Sequence, residues 1–285
     1  MKDLVIGAVT NYNYDKIKYW VNSLDQSGYT GEKALLCYNV DYELVKEVSK
    51  RNYKVFGFSK NDQLGKLEYR DNFSVVVERF LHLWHFLKSY KGQYRYIITT
   101  DVKDVVFQKN PSIWLEQNLD TSKHINASSE SIRYRDETWG YNNILKSFGP
   151  IIQDEMKDNI INNCGVLSGR FDVMLDLFLN IYMLCNGTSH FIEGGGGPDQ
   201  AALNILLNTE SYKMITNFAK SEDGWAAQLG TTGSQISSKY SSLLVEKSPI
   251  IIGNEVCTSE GKPFTIVHQY DRIPELKSII EKKYE

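Results

Sequence analysis

The sequence predicts an α/β protein, with a mainly parallel central sheet flanked by helices. Three observations point there. Short apolar runs rich in β-branched residues alternate with helix-like stretches through the first half of the chain. Those runs are apolar along most of their length, as strands covered by helices on both faces are. One of them, "RYIITTD" (95–101), ends abruptly on Asp101, with Asp104 one short turn later. In a parallel sheet the carboxyl ends of the strands form the ligand-binding edge.

The elements follow in order. "LVIGAVT" (4–10) is the first strand, and "YDKIKYWVNSLDQSG" the helix after it. "KALLCYNV" (33–40) and "YELVKEVSKRN" form the next strand and helix. "YKVFGFS" (53–59) leads through a polar loop to a long helix at 73–91, and the strand 95–101 closes the series. "NPSIWLEQNL" (110–119) reads as a short helix with Pro111 in its first turn. Beyond it the pattern is less regular. "NNCGVLSGRFD" runs from strand into helix, "EGGGGPDQAALNILLNT" is a glycine loop feeding a helix, and "KPFTIVHQYDR" is a late strand ending in His268. The tail "KSIIEKKYE" reads as a solvated helix end. No internal repeat or low-complexity linker interrupts the chain. The expectation is one domain, residues 1–285, regular in its first part (1–110) and less regular beyond (111–285).

Composition narrows the function. The chain has 285 residues and a net charge of -3, with no basic block, which argues against a nucleic-acid partner. No apolar stretch reaches the length of a membrane span. The first residues, "MKDLVIGAVTNYNY", do not read as a signal peptide. Cys37, Cys164, Cys185 and Cys257 are scattered without metal-finger spacing, so they read as reduced core thiols of a cytoplasmic protein. The sequons at Asn72, Asn126 and Asn186 are then coincidental.

Two carboxylates at a strand end are costly unless they meet a cation. A hard divalent ion, Mg²⁺ or Mn²⁺, accepts carboxylate oxygens and then phosphate oxygens, which suits a nucleotide diphosphate. A strand-end cap with a surface Asp104 is the plainer alternative. His268 also ends an apolar strand, and a neutral imidazole is a competent Mn²⁺ ligand. His82 and His85 are three residues apart, but they sit among Leu81, Trp84 and Leu87 and read as helix packing. Arg79 on that helix precedes the Asp101 strand, so it either reaches phosphates or forms a surface ion pair. Val9, Thr10, Asn11 and Tyr12, after the first strand, suit a base and ribose pocket or a plain loop capping the next helix at Asp15. Asp199 opens a helix after the glycines and is either a cap or a functional acid.

The stretch "TDVKDVVFQKNP" (100–111) resembles the nucleotide-diphospho-sugar glycosyltransferases of the GT-A fold, in particular small viral, algal and bacterial members with a "TDVxDVVFQxxP" signature. "HINASSESIRYRDETWGYNNIL" (124–145), "NCGVLSGR" (163–170), "GPDQAALN" (197–204) and "VHQYDR" (267–272) are similar to further segments of that family, in the same order. The likeness spans roughly residues 4–272, and it implies a single domain with a nucleotide-binding half at 1–110 and an acceptor-side half at 111–285. It implies a GT-A fold and transfer of a sugar from a nucleotide-sugar donor, UDP by family habit, to a hydroxyl of a glycan, peptide or small molecule. It implies a metal site at Asp101, Asp104 and His268, holding Mn²⁺ or Mg²⁺. It implies donor contacts from Thr100, Asp101, Val102, Lys103, Asn163, Gly165 and Gln200, with Trp139 and Gly140 shaping the sugar pocket. Asp199 becomes either a general base toward the acceptor hydroxyl or a carboxylate that steadies an oxocarbenium-like centre, with Glu130 its rival. One departure matters. The family motif is Asp-x-Asp, and here Lys103 stands at the second position. An extra residue displaces a carboxylate by several ångströms unless the backbone turns. Lys103 could alternatively neutralise the diphosphate without metal. The alternatives are a nucleotide-sugar- or glycan-binding protein without catalysis, a phosphatase built on Asp101, whose Asp-x-Asp would stand after the first strand, and a nucleotidylyltransferase. The Gly-rich start of the latter is missing.

Overall fold

In a computed structural model, residues 1–192, 195–233 and 239–285 are described. Seven strands form the main sheet: β1 (Lys2–Thr10), β2 (Glu32–Tyr38), β4 (Tyr53–Phe56), β7 (Tyr94–Thr100), β9 (Ile125–Arg133), β10 (Ile160–Arg170) and β11 (Thr216–Ala219). Their spatial order is β11-β9-β10-β7-β1-β2-β4. The pairs β2–β4, β1–β2, β1–β7 and β9–β11 are parallel, and β10 alone runs against its neighbours. The carboxyl ends of β1, β7 and β9 therefore meet the first half of β10 along one edge.

Helices cover both faces, which is why β1, β2 and β7 are apolar along most of their length. On one face α1 (Tyr14–Gln26) and α2 (Tyr42–Lys50) contribute Ile17, Trp20, Val21, Leu24, Leu44 and Val48 to a core with Val5, Val9 and Ile98. On the other, α3 (Val75–Leu87), α6 (Phe171–Cys185) and α7 (Asp199–Asn208) pack Phe80, Leu83, Phe178 and Leu203 on Leu4, Ile6 and Ile97. The side chain of Asn13 caps α1 by accepting from the Lys16 amide at 3.2 Å, so the cap is Asn13 and not Asp15. Pro111 starts α4 (Pro111–Asn118) as expected. No helix among the described residues is long and apolar enough to cross a membrane.

Three regions differ from the sequence reading. The strand after residue 53 stops at Phe56, because the chain passes Leu67 so closely at Gly57 that a Cβ there would meet Leu67 Cδ1 at 2.7 Å. The polar loop beyond it holds β5 (Ser59–Asn61) and β6 (Lys66–Glu68), which pair with β3 (Val40–Asp41) in a small sheet. The tail is not a solvated face: the helix Pro274–Lys283 buries Leu276 and Ile280, and Tyr284 follows them into a core with Val106, Phe264 and Val267.

A second three-stranded sheet positions the site. It is formed by β8 (Val105–Phe107), β12 (Ala226–Gln228) and β15 (Ile266–His268), in the order β12-β15-β8. His268 lies opposite Val105 on one side and Gln228 on the other. A short hairpin, β13 (Ile250–Ile252) with β14 (Glu255–Cys257), lies beside it in sequence.

Candidate active site at the carboxyl edge of the sheet

β7 delivers Asp101 to the sheet edge, and the Asp101 amide donates to the Gly165 carbonyl of β10 at 2.7 Å. The backbone then bends and turns through Val102–Asp104. That turn absorbs the extra residue of the Asp-x-x-Asp spacing and returns Asp104 to the cluster. The Gln269 amide fastens the turn by donating to the Asp104 carbonyl at 2.8 Å. His268 Nε2 lies 3.6 Å from Asp101 Oδ2 and 3.7 Å from Asp104 Oδ1. One ligand atom from each of the three residues lies within 4.8 Å of the others.

Charge is balanced by Arg79, buried on α3. It bonds Asp101 Oδ1 at 2.5 Å, Asp199 Oδ2 at 3.3 Å and the Cys164 carbonyl at 3.3 Å. Burial opposes the charge on Asp101, but Arg79 and His268 overcome it and hold the carboxyl well below its usual range. Burial raises Asp104, with Asp101 and Asp271 adding to the rise. Burial also lowers His268, yet the flanking carboxylates raise it overall. Asp199 is raised by burial even against Arg79. It is not a helix cap: Pro198 precedes α7 and the Asp199 carboxylate turns to Arg79.

Two cavities adjoin the cluster and share Val76, Arg79 and Asp101. The smaller, about 260 Å³, is lined by Ala8, Thr10, Tyr12, Val102, Lys103 and Asp104. The larger, about 490 Å³, contains Glu130, Trp139, Asn163, Gly165, Asp199 and Gln200, with His268 at its side. The larger falls within the usual size of ligand sites, about 300–1,000 Å³, and the smaller just below it.

The structure brings most of the expected residues together. Thr10 and Tyr12 face the smaller cavity, whereas Val9 is buried in the core with Ile17 and Trp20. Strand alternation places Ala8 there instead. Asn11 is exposed, with φ of 53°, and does not line the cavity. Thr100 is buried and accepts from Trp20 Nε1 at 2.8 Å, so it anchors β7 to α1. Lys103 lies 3.5 Å from Asp271 and is largely exposed. Asn163 donates to Glu130 Oε1 at 2.7 Å and accepts the Gly165 amide at 2.7 Å. Gln200 accepts the Cys164 amide at 3.2 Å and its amide lies beside Glu130. Burial pushes Glu130 up to about 7. Trp139 rests against the glycine loop, where a Cβ on Gly196 would meet its ring at 3.1 Å. Gly194 of that loop lies outside the described residues. Gly140 is buried against Glu137. His82 accepts or donates to Tyr38 Oη at 2.8 Å and burial depresses it to about 4, in keeping with a packing role.

Other lining residues were not singled out from the sequence. Glu137 caps α5 (Thr138–Met156) by accepting the Trp139 and Gly140 amides, at 3.1 and 2.5 Å, and accepts from Tyr240 Oη at 2.9 Å. A carboxylate just before "TWG" is readable as an acid favoured at a helix N-terminus by the helix dipole. Thr231 and Gln269 also line the larger cavity, as does Arg272, whose charge the sequence already sets beside the late histidine.

The donor set suits a divalent cation. Two carboxylate oxygens and an imidazole nitrogen converge at buried or half-buried positions, a set that Mn²⁺ accepts more readily than Mg²⁺. A glycine stands where the three groups crowd: a Cβ on Gly165 would meet His268 Cε1 at 2.5 Å and Asp101 Oδ2 at 2.7 Å.

No protein-family model matches the chain, and no curated protein matches it. Among solved structures, the apo form of the glycosyltransferase GlyE of Streptococcus pneumoniae TIGR4 is similar with a TM-score of 0.53 at 14% identity, over 94% of this chain and 54% of that one. Another GlyE structure gives 0.51 at 13% identity, over 94% of this chain and again 54% of that one. The apo form of mouse xyloside xylosyltransferase 1 gives 0.50 at 12% identity, over 93% of this chain and 97% of that one. The chain thus spans about half the length of the pneumococcal protein. At these identities the likeness is one of fold, and it is the fold expected from the sequence: a mostly parallel sheet between helices, as in glycosyltransferases.

Proposed function

We propose that the protein transfers a sugar from a nucleotide-sugar donor, UDP-linked, to a hydroxyl acceptor, with a divalent cation held by Asp101, Asp104 and His268. The observation that carries this reading is the three-ligand cluster standing between two adjoining cavities at the carboxyl edge of the sheet. The smaller cavity is lined by residues before 110 and suits the nucleoside, with Thr10 and Tyr12 beside the ring and Lys103 near the diphosphate. The larger cavity draws mostly on residues after 111 and suits the sugar and the acceptor. That division supports a nucleotide half at 1–110 and an acceptor half at 111–285 within one glycosyltransferase domain.

The bound cation would act as a Lewis acid on the diphosphate leaving group. The protein's own groups do the rest. Arg79 keeps Asp101 ionised and ready to ligate. Trp139 offers a half-exposed ring to the C–H face of a sugar. Glu130 is the proton carrier best matched to neutral pH, because burial raises it to about 7, with Asn163 as its hydrogen-bond donor rather than a guanidinium such as the one that Asp199 meets in Arg79. Asp199, fixed by Arg79, is the acid that faces the reacting sugar carbon as positive charge develops there.

Thermal unfolding with UDP, GDP and CMP, each with Mn²⁺, Mg²⁺ or EDTA, tests the reading. One nucleotide should stabilise the protein only with a cation, by about 2.7 kcal/mol at a hundredfold excess over Kd. Stabilisation that survives EDTA would transfer the diphosphate charge to Lys103. Stabilisation without turnover of any sugar donor would mark a binding protein. No response to any nucleotide would refute the donor site.

A further inference from the structure

Behind the three-ligand cluster a buried chain of hydrogen bonds runs to His268 from Ser128 and Gln228, which line neither cavity. Ser128 Oγ donates to the Val166 carbonyl at 3.3 Å. A hydroxyl has one proton, so toward Gln228 it can only accept, and Gln228 Nε2 donates to it at 2.7 Å. That bond sets the orientation of the Gln228 amide. Its oxygen, Oε1, is left facing His268 Nδ1 at 2.8 Å. An amide oxygen carries no proton, so Nδ1 must supply one. In the neutral ring the lone pair is then on Nε2, the nitrogen that faces Asp101 and Asp104. Ser128, Gln228 and His268 are each at most 2% exposed, so no water competes for these bonds.

We propose that Gln228, oriented by Ser128, is a positioning residue that fixes the His268 ring with Nε2 directed at the carboxylates, ready to ligate. The parallel pairing of β12 with β15 places Gln228 directly opposite His268, so the alignment is built into the strand register. Histidines that bind metals are generally steered this way, by a partner accepting from the other ring nitrogen. The inference rests on the cation reading for its purpose. The tautomer itself does not depend on that reading.

The test separates the two. Long-range ¹H–¹⁵N spectra of the metal-free protein, recorded at a pH where the ring is neutral and assigned by His268→Asn, report which ring nitrogen carries the proton. Mn²⁺ titration of the same protein reports affinity. Wild type should show the proton on Nδ1. Gln228→Leu should lose that preference and bind Mn²⁺ about 10–100-fold more weakly. Gln228→Glu, which keeps an acceptor oxygen, should restore both. The proposal is overturned if the wild-type ring carries its proton on Nε2, or if Gln228→Leu retains the wild-type spectrum and affinity. Should Gln228→Leu fail to fold, the wild-type spectrum still decides the tautomer, and Ser128→Ala decides whether the amide needs its anchor. A wild type that binds no Mn²⁺ yet shows the Nδ1 proton would sink the cation reading and leave the ring orientation standing.

Discussion

Gly165→Ala adds one methyl group at the most crowded point of the site. Its Cβ would lie 2.5 Å from His268 Cε1, 2.7 Å from Asp101 Oδ2 and 2.9 Å from Asn163 Oδ1. Carbon contacts relax at about 3.5–4.0 Å, so the neighbours must retreat by roughly 1 Å. Neither can do so freely. Asp101 is held by Arg79 at 2.5 Å, and His268 by Gln228 at 2.8 Å. Gly165 itself is tied to Asp101 through its carbonyl and to Asn163 through its amide. The expected cost is overpacking of about 1–3 kcal/mol, a fall in Tm of a few degrees. The larger effect falls on function, because a displacement near 1 Å in a reacting constellation lowers rate by about 100-fold. Mn²⁺ titration and sugar-donor turnover should both drop while far-ultraviolet circular dichroism stays unchanged. If the variant binds Mn²⁺ and turns over as wild type, then Asp101 and His268 do not share a ligand site as argued.

Further predictions follow from the same network. Arg79→Leu leaves buried Asp199 and half-buried Asp101 without their guanidinium and should cost about 3–5 kcal/mol in denaturant unfolding. Arg79→Lys should recover part of that stability, since a single ammonium cannot span both carboxylates as the guanidinium fork does. Glu130 ionises with an ordinary value of 4.5 when unfolded and about 7 when folded. A raised value stabilises the fold fully below pH 4.5, and that contribution is lost as pH rises through about 7, by about 3 kcal/mol in total. Glu130→Gln should therefore raise Tm at pH 8, flatten its pH dependence and abolish turnover; unchanged turnover would remove Glu130 from proton transfer. Trp139→Ala should raise the donor or acceptor KM more than it lowers kcat, with little change in Tm, because the ring is half-exposed over the cavity.

The features legible in the sequence were those whose signal lies within one element. Apolar runs of fixed length give the strands, and Asp101 and His268 each close such a run. A period-two reading also bears on the first loop: Val9 and Thr10 sit on opposite faces of β1, so only one of them can reach the smaller cavity. In the tail, Leu276, Ile280 and Tyr284 recur at a four-residue interval, an apolar stripe that the surrounding lysines and glutamates obscure. The polar strands β5 and β6 carry no apolar alternation, and their pairing depends on the close packing of Gly57 on Leu67.

The contacts that make the cluster selective in geometry belong to a different order of information. Gln228 lies 40 residues from His268 and 100 from Ser128, and nothing in "GWAAQLG" marks it. Its role exists only because β12 pairs with β15 in one register, and a slip of one residue would turn the amide to the opposite face. Arg79 is similar. Its helix predicts packing on the sheet, but its reach to both Asp101 and Asp199 depends on α7 starting where β10 passes beneath it. Residues that carry chemistry can be inferred from type and strand position, because desolvation limits where a bare carboxylate can stand. Residues that orient them are ordinary in type and become informative only through register, so strand pairing is where errors in reading such a site arise.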